Sequence, residues 1–405
     1  MIPLMVLLLA APAAAQRFSH RGFLEARSFL YPQTVPNDKA HYVGEALFRW
    51  EASYKLPAGW QLNGALDGRT DTHHQVERDF RLDWQDRTIR QPSLSARRFS
   101  VAWYRGRFSA EFGKQFIRWG KADILNPTDR FAPRDYINVA NNDFLGVLGA
   151  RVGYQGSKDS VDLVAVPRFT PARTPLLYQR WVAIPDPLYQ VPVRDLGARF
   201  PGRTQFGVRW SRTLSSVEYA LVFFDGFHYL PLIDARPLPD PLAVEVQRYY
   251  PQLRLYGGDA AVPLRWFTVK AEGAWFGSRT LTADEYFLYV VQLERTAGEW
   301  FFIGGYSGEA VTQRRNTLDF APDRGLARAY LGRAGYTIDP RRNLAVEIAI
   351  RQNGEGALVK GEYSQQAGRH WRVTASFTWI TGKLTDFLGQ YRRNSFALIA
   401  LRYSF

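Results

Sequence analysis

The densest set of groups able to do chemistry lies in RWGKADILNPTDRFAPRDY, residues 118 to 136. Seven of its side chains carry charge: Arg118, Lys121, Asp123, Asp129, Arg130, Arg134 and Asp135. Mixed signs at this spacing suit an electrostatic field that sorts ions, because rings and rows of charge set ion preference. The other cluster is His73-His74 with Asp71 and Glu77. It could ligate a metal or move a proton, but such a His pair more commonly belongs to a solvated loop. The chain has no nucleophile elbow, no H-E-x-x-H and no phosphate loop. With no cysteine, thiolate chemistry and disulfides are excluded. No catalytic residue, metal site or cofactor is implied, and the reading is of a protein that is not an enzyme.

The elements that must position these charges show in a period of two. The chain ends NSFALIALRYSF, with Ala397, Ile399, Leu401, Tyr403 and Phe405 on one face and Phe396, Leu398, Ala400, Arg402 and Ser404 on the other. Such alternation is a strand between two environments. It recurs as Ala46, Phe48, Trp50, Ala52 and Tyr54 against Leu47, Arg49, Glu51, Ser53 and Lys55, and as Trp371, Val373, Ala375, Phe377 and Trp379 against Arg372, Thr374, Ser376 and Thr378. The segments are about ten residues long, the length of a tilted strand across a bilayer.

Eighteen segments can be placed, with 16 to 18 as the range. They begin near residues 22, 44, 60, 93, 107, 145, 161, 203, 217, 250, 265, 287, 300, 325, 343, 357, 370 and 394. Every second connection is short, for example LPAG, RG and DPRR. The others are mostly long, at 31–43, 72–92, 118–144, 170–202, 228–249, 278–286, 311–323 and 382–393; only the link near Gly354 breaks the rule. Short turns at one end and long loops at the other predict an all-β, transmembrane antiparallel barrel with periplasmic turns and extracellular loops. An even strand count puts both ends at the short-turn side and lets the last strand cover the edge of the first. A soluble β-sandwich or propeller is the rival, but one uniform face ending in Trp and Tyr fits an interface belt better.

Bulk composition agrees. Aromatics make up 15% of the 405 residues, yet mean hydropathy is −0.28, so the apolar residues are finely interleaved. The start, MIPLMVLLLAAPAAAQ, reads as a signal peptide over 1–15, with Ala13-Ala14-Ala15 as an A-x-A site before Gln16. No Lys or Arg precedes its apolar core, and a membrane anchor is the alternative. Residues 16–405 then form one barrel without a dividing linker.

If the mixed face looks inward, it lines the lumen with Arg49, Lys55, Arg151, Arg209, Lys270, Arg351, Lys360, Arg372 and Arg402. Glu51, Asp67, Glu111, Glu218, Glu272, Glu294, Glu347 and Glu362 join them. Net charge is +14, carried by 44 Arg and eight Lys. That excess favours anions in the lumen, or Arg on outer loops that hold lipid phosphates. Arg interleaved with Glu along strands is not a nucleic-acid patch.

The C-terminal series Ile399, Leu401, Tyr403 and Phe405 resembles the assembly signal of Gram-negative outer-membrane proteins, which implies recognition by the barrel-insertion machinery. Residues 118–136 carry W-G-x-x-D, N-P-x-D and P-R-D, through Trp119, Gly120, Asp123, Asn126, Pro127, Asp129, Pro133, Arg134 and Asp135. They resemble loops in a largely uncharacterised group of porin-like barrels. The resemblance implies a fold and a location in the outer membrane, among its lipid and lipopolysaccharide. In general porins the third loop folds into the barrel and narrows it, so the 118–144 loop is expected either to form a constriction or to lie salt-bridged on the rim. The expected function is passive diffusion of small hydrophilic, anionic solutes. The competing expectation is a barrel plugged by loops such as TPLLYQRWVAIPDPLYQVPV, residues 174–193, acting in envelope assembly or with an export partner. No feature marks an oligomer face.

Overall fold

The computed structural model describes residues 17–182, 191–239, 242–315 and 321–405; the expected signal peptide lies outside them. Eighteen strands form one closed antiparallel wall. They are β1 (Phe18–Leu30), β2 (Tyr42–Lys55), β3 (Trp60–Asp71), β4 (Leu94–Arg105), β5 (Phe108–Gln115), β6 (Val147–Gln155), β7 (Asp159–Arg168), β8 (Gln205–Thr213) and β9 (Glu218–Phe227). The wall continues through β10 (Gln252–Pro263), β11 (Thr268–Gly277), β12 (Glu285–Ala297), β13 (Trp300–Gln313), β14 (Ala329–Asp339), β15 (Arg342–Arg351), β16 (Gly356–Ala367), β17 (Trp371–Gly382) and β18 (Phe396–Ser404). Each strand pairs with its chain neighbours, and β1 pairs with β18. All eighteen segments expected from the alternation are present.

Closure explains the apolar terminus. Gly22 N–H donates to the Phe405 carbonyl and Phe405 N–H to that of Gly22, both at 3.0 Å. The register continues as Leu24 opposite Tyr403 and Glu25 opposite Arg402. No unpaired strand edge remains at this seam, which is what a barrel in lipid requires.

The pleat sorts side chains as expected. Leu24, Phe48, Phe112, Val152, Val208, Phe377, Ile399 and Leu401 point outward and are exposed. Their lumen-facing neighbours Glu25, Asp67, Asp259 and Glu272 are buried. Because the barrel is hollow, these acids are covered by other strands and by loops, not by a second sheet.

The short turns are 56–59, 106–107, 156–158, 214–217, 264–267, 298–299, 340–341 and 368–370. The opposite end carries the long loops and the short link 352–355, the exception seen in the sequence. Above the wall, Val193–Arg199, Leu232–Pro239 and Leu242–Tyr249 make a three-stranded sheet. Leu82–Asp83 lies parallel against β4.

The main apolar cluster lies inside the barrel. Ile117, Trp119, Leu125 and Phe131 from the 116–146 loop pack on Val222, Phe224, Leu255, Phe276 and Leu288 of the wall. This accounts for the continuous apolar run from Tyr219 to Phe224. The lumen face of β9 is apolar because the loop covers it, with Phe131 edge-on to Phe224 at 5.1 Å between ring centroids. The approach is close enough to require glycine at Gly207, where a Cβ would fall 2.6 Å from Phe131 and 2.8 Å from Trp119.

Candidate functional site: the inward loop and the arginine wall

The inward loop is held first by a wall carboxylate. Glu272 on β11 accepts the backbone N–H groups of Lys121 (3.0 Å), Ala122 (3.2 Å) and Thr128 (2.8 Å), and the Thr128 hydroxyl (2.8 Å). Four donors converge on one anion, which supplies the charge-assisted bonds that otherwise buried N–H groups need. Gly120 makes the turn possible: its φ is +94°, and a Cβ there would lie 2.7 Å from Glu272 Oε1. Next to this anchor, Gln292 Nε2 and Lys270 Nζ donate to Asp123 at 2.6 and 2.8 Å. Lys121 pairs with Glu218 at 2.5 Å.

The two ends of the loop are tied separately. Asp129 accepts Trp119 N–H at 3.0 Å and the guanidinium of Arg118. Burial pushes its carboxyl above the ordinary range, although Arg118 opposes this. Arg118 and Arg134 sandwich the Phe144 ring, with guanidinium carbons 3.8 and 4.1 Å from its centroid. Asp143 reaches β4 and β2, taking Arg97 at 2.9 and 3.1 Å and Arg49 at 3.2 Å. Partial burial works against its ionised form, yet Arg97, Arg49 and Arg69 together hold it well below the usual carboxylate range. Asp135 accepts Gln91 at 2.9 Å and pairs with the buried Arg173.

The structure therefore places Arg118, Lys121, Asp123, Asp129, Arg134 and Asp135 in contacts that fix the loop to the wall or to itself. Arg130 and Arg134 also border a cavity at the long-loop mouth. That cavity, about 220 Å³, is lined by Tyr136, Trp181, Tyr229, Tyr286 and Tyr391 among others. His228 lines it too; burial, then Arg130 and Arg324, push its pKa down to about 3, so it is neutral.

A second cavity, about 270 Å³, separates the loop from β18, β1, β2 and β3. Arg27, Arg49, Arg69 and Arg402 face it with Glu45, and the loop presents Asp135, Asn138, Asn141, Asn142 and Asp143. Four guanidiniums thus meet three carboxylates. Asn142 borders both cavities.

The other wall residues form pairs. Arg49 holds Asp67 at 2.7 and 2.8 Å, and Asp67 is only 1% exposed. Arg209 holds Asp259, Arg151 holds Asp162, and Arg402 donates to Glu25 at 2.6 Å. Glu111 accepts Arg98 (2.7 Å) and Ser100 (2.5 Å), and Glu51 accepts Arg21 (2.7 Å). Lys270 bridges Asp123 and Glu294. Arg351 sits high, bonded to Asp386 at 2.9 Å and to the Gly325 carbonyl at 2.8 Å, so it ties two outer loops together. Arg372 is exposed at the short-turn end, opposite Arg402 in register.

His73 and Asp71 serve the fold of their loop. His73 contacts Asp38 at 2.9 Å, and Asp71 accepts N–H groups of His73, Gln75 and Val76. Among the described residues no group of His, Asp and Glu is arranged to hold a metal. Of the 174–193 stretch, residues 183–190 lie outside the described residues. Its earlier part docks on the mouth: Trp181 is buried against Tyr391 and Phe396, and Asn394 donates to the Arg180 carbonyl at 2.7 Å.

Arg27, Arg69, Arg97, Arg173 and Asp143 were not singled out in the sequence. Arg27 and Arg69 share the lumen parity of their strands and were findable. Arg97 was not, because the β3–β4 register shifts between Ala65 and Leu66 and parity breaks there.

Wall, closure and inward loop define a closed eighteen-stranded antiparallel β-barrel of porin-like fold. No protein-family model matches the chain, and no curated protein matches it. Among solved structures the fold is similar to Acinetobacter baumannii OccAB4, with a TM-score of 0.57 and 9% identity over 96% of this chain and 98% of that one. It is similar to a BenF-like porin from Pseudomonas fluorescens Pf-5, with a TM-score of 0.56 and 10% identity over 96% and 98%. Pseudomonas aeruginosa OccK3 (OpdO) follows, with a TM-score of 0.54 and 10% identity over 96% of each chain.

Proposed function

We propose that the protein is an outer-membrane channel, not an enzyme, that passes small hydrophilic solutes by diffusion and prefers anions. The observation that carries this reading is the 270 Å³ cavity, on whose surface Arg27, Arg49, Arg69 and Arg402 stand against Glu45, Asp135 and Asp143, while Glu25 and Asp67, which also bond these arginines, are buried behind it. Guanidinium planes match carboxylate and phosphate oxygens in pairs, and a field in a narrow lumen raises the local concentration of counter-charged solute. The similarity to porin structures and the outward apolar wall support the channel and its place in the outer membrane. The inward loop, through Arg130, Arg134, Asp135 and Asp143, forms the constriction. Residues 1–15 act as a signal peptide, and Ile399, Leu401, Tyr403 and Phe405 as the assembly signal.

Single-channel recording of the refolded barrel in a planar bilayer under a salt gradient tests the reading. Steady conductance with an anion-selective reversal potential is expected. A correctly folded barrel that passes no current would overturn the channel, and a cation-selective potential would overturn the preference.

A further inference from the structure

Most lumen arginines pair with carboxylates, and exposed arginines without a salt bridge among the described residues lie at both ends of the barrel: Arg81, Arg168, Arg199, Arg279, Arg328 and Arg393 at the long-loop end, and six more at the short-turn end. Among the eight short turns Glu299 is the only acid. Asp339 and Asp159, at flanking strand ends, already pair with Arg342 and Arg212. Against them stand Arg105, Arg107, Arg265, Arg295, Arg341 and Arg369, all exposed and none in a salt bridge among the described residues. These six are spread from β4 to β16, so they make a collar and not a single patch.

A ring contact or strand parity orients three of them. Arg265 and Arg295 lie 5.2 and 5.6 Å from the centroid of the Trp266 ring, which is 60% exposed. Arg295 continues the outward parity of Val291 and Leu293, and Arg105 that of Phe99. Trp60, Phe108, Trp300 and Trp371 complete an outward aromatic girdle at the same end. Such a girdle sits at headgroup level, so cations interleaved with it face lipid and not solute.

We propose that this collar binds the phosphates of anionic phospholipids in the leaflet at the short-turn end. The charges match, the guanidinium fork fits a phosphodiester, and basic side chains near a membrane surface each contribute to holding anionic lipid. The proposal rests on the barrel spanning a membrane as read above.

Native mass spectrometry of the folded barrel, titrated with phosphatidylglycerol or phosphatidylethanolamine, reads retained lipid directly. About fivefold enrichment of phosphatidylglycerol is expected, falling toward parity in the variant R105S/R265S/R295S/R369S and preserved when the same four become lysine. Arg393→Ser, at the opposite end, should change nothing. If the serine variant fails to fold, raising salt from 0.1 to 1 M on the wild type should abolish the enrichment. Equal retention of the two lipids by the wild type, or enrichment untouched by salt and by the serine variant, would overturn the collar. Conductance of the same preparation separates the readings: a conducting barrel without lipid preference sinks the collar alone, and a lipid-selective barrel without current sinks the channel alone.

Discussion

At the scale of single residues, Glu272 and Asp143 divide the work of holding the loop. Glu272 takes four donors from one end of it. Glu272→Gln keeps the shape but removes the charge and half the acceptor capacity, which should loosen the docked segment by about 2–3 kcal/mol. Larger and noisier single-channel currents are the expected result; currents identical to wild type would show that the apolar contacts of Trp119 and Phe131 suffice. The two aspartates at the loop ends should also respond differently to acid. A depressed carboxyl such as Asp143 contributes stability above the ordinary value near 4, lost only as pH falls through its lower folded value. A raised carboxyl such as Asp129 contributes stability below the ordinary value, lost as pH rises through its higher folded one. Acidification from neutral should therefore protonate Asp129 first. Asp129→Asn should flatten any gating response between neutral pH and about pH 4, while Asp143→Asn should leave that response in place, as read from conductance against pH.

At the scale of elements, the inward loop is both cover and filter. Removing residues 121–135 deletes Leu125 and Phe131 from the main apolar cluster and leaves Phe224, Leu255 and Phe276 bare in the lumen. Conductance should rise and ion selectivity weaken in bilayer recordings; unchanged conductance would mean that the passage runs elsewhere. The strands themselves were legible, because a period of two needs only local sequence and each segment repeats it. The loop was legible as charged punctuation but not as a docked structure. Glu272 reads by parity as a free wall charge, since nothing in its own strand reports the three N–H groups that reach it from residues 121, 122 and 128. Asp143 and the three asparagines near it fell outside the charged motif, and their partners lie on strands far away in the chain.

At the scale of the whole molecule, closure between β1 and β18 depends on the last residue. Phe405 exchanges both backbone bonds with Gly22, and its ring stacks on Phe48 at 6.3 Å. Deleting Phe405 should lower the yield of folded barrel in vesicles, read as the fraction of protein whose gel mobility changes on heating. A wild-type yield would show that the seam closes without it. The charge of the molecule also divides by place: mostly paired in the lumen, and unpaired in part at both rims.

The apolar lumen face of β9 bears on the order of assembly. Val222 and Phe224 are buried beneath Phe131 and its neighbours. A sheet that curled shut with the loop outside would seal a greasy strip against water and trap the loop where it could not thread back. Docking must then precede or accompany the final pairing of first and last strands, making the loop a template around which the cylinder forms. Trp119, buried beneath Gly207, reports this step, and its fluorescence should reach the native value no later than the gel shift that marks a closed barrel.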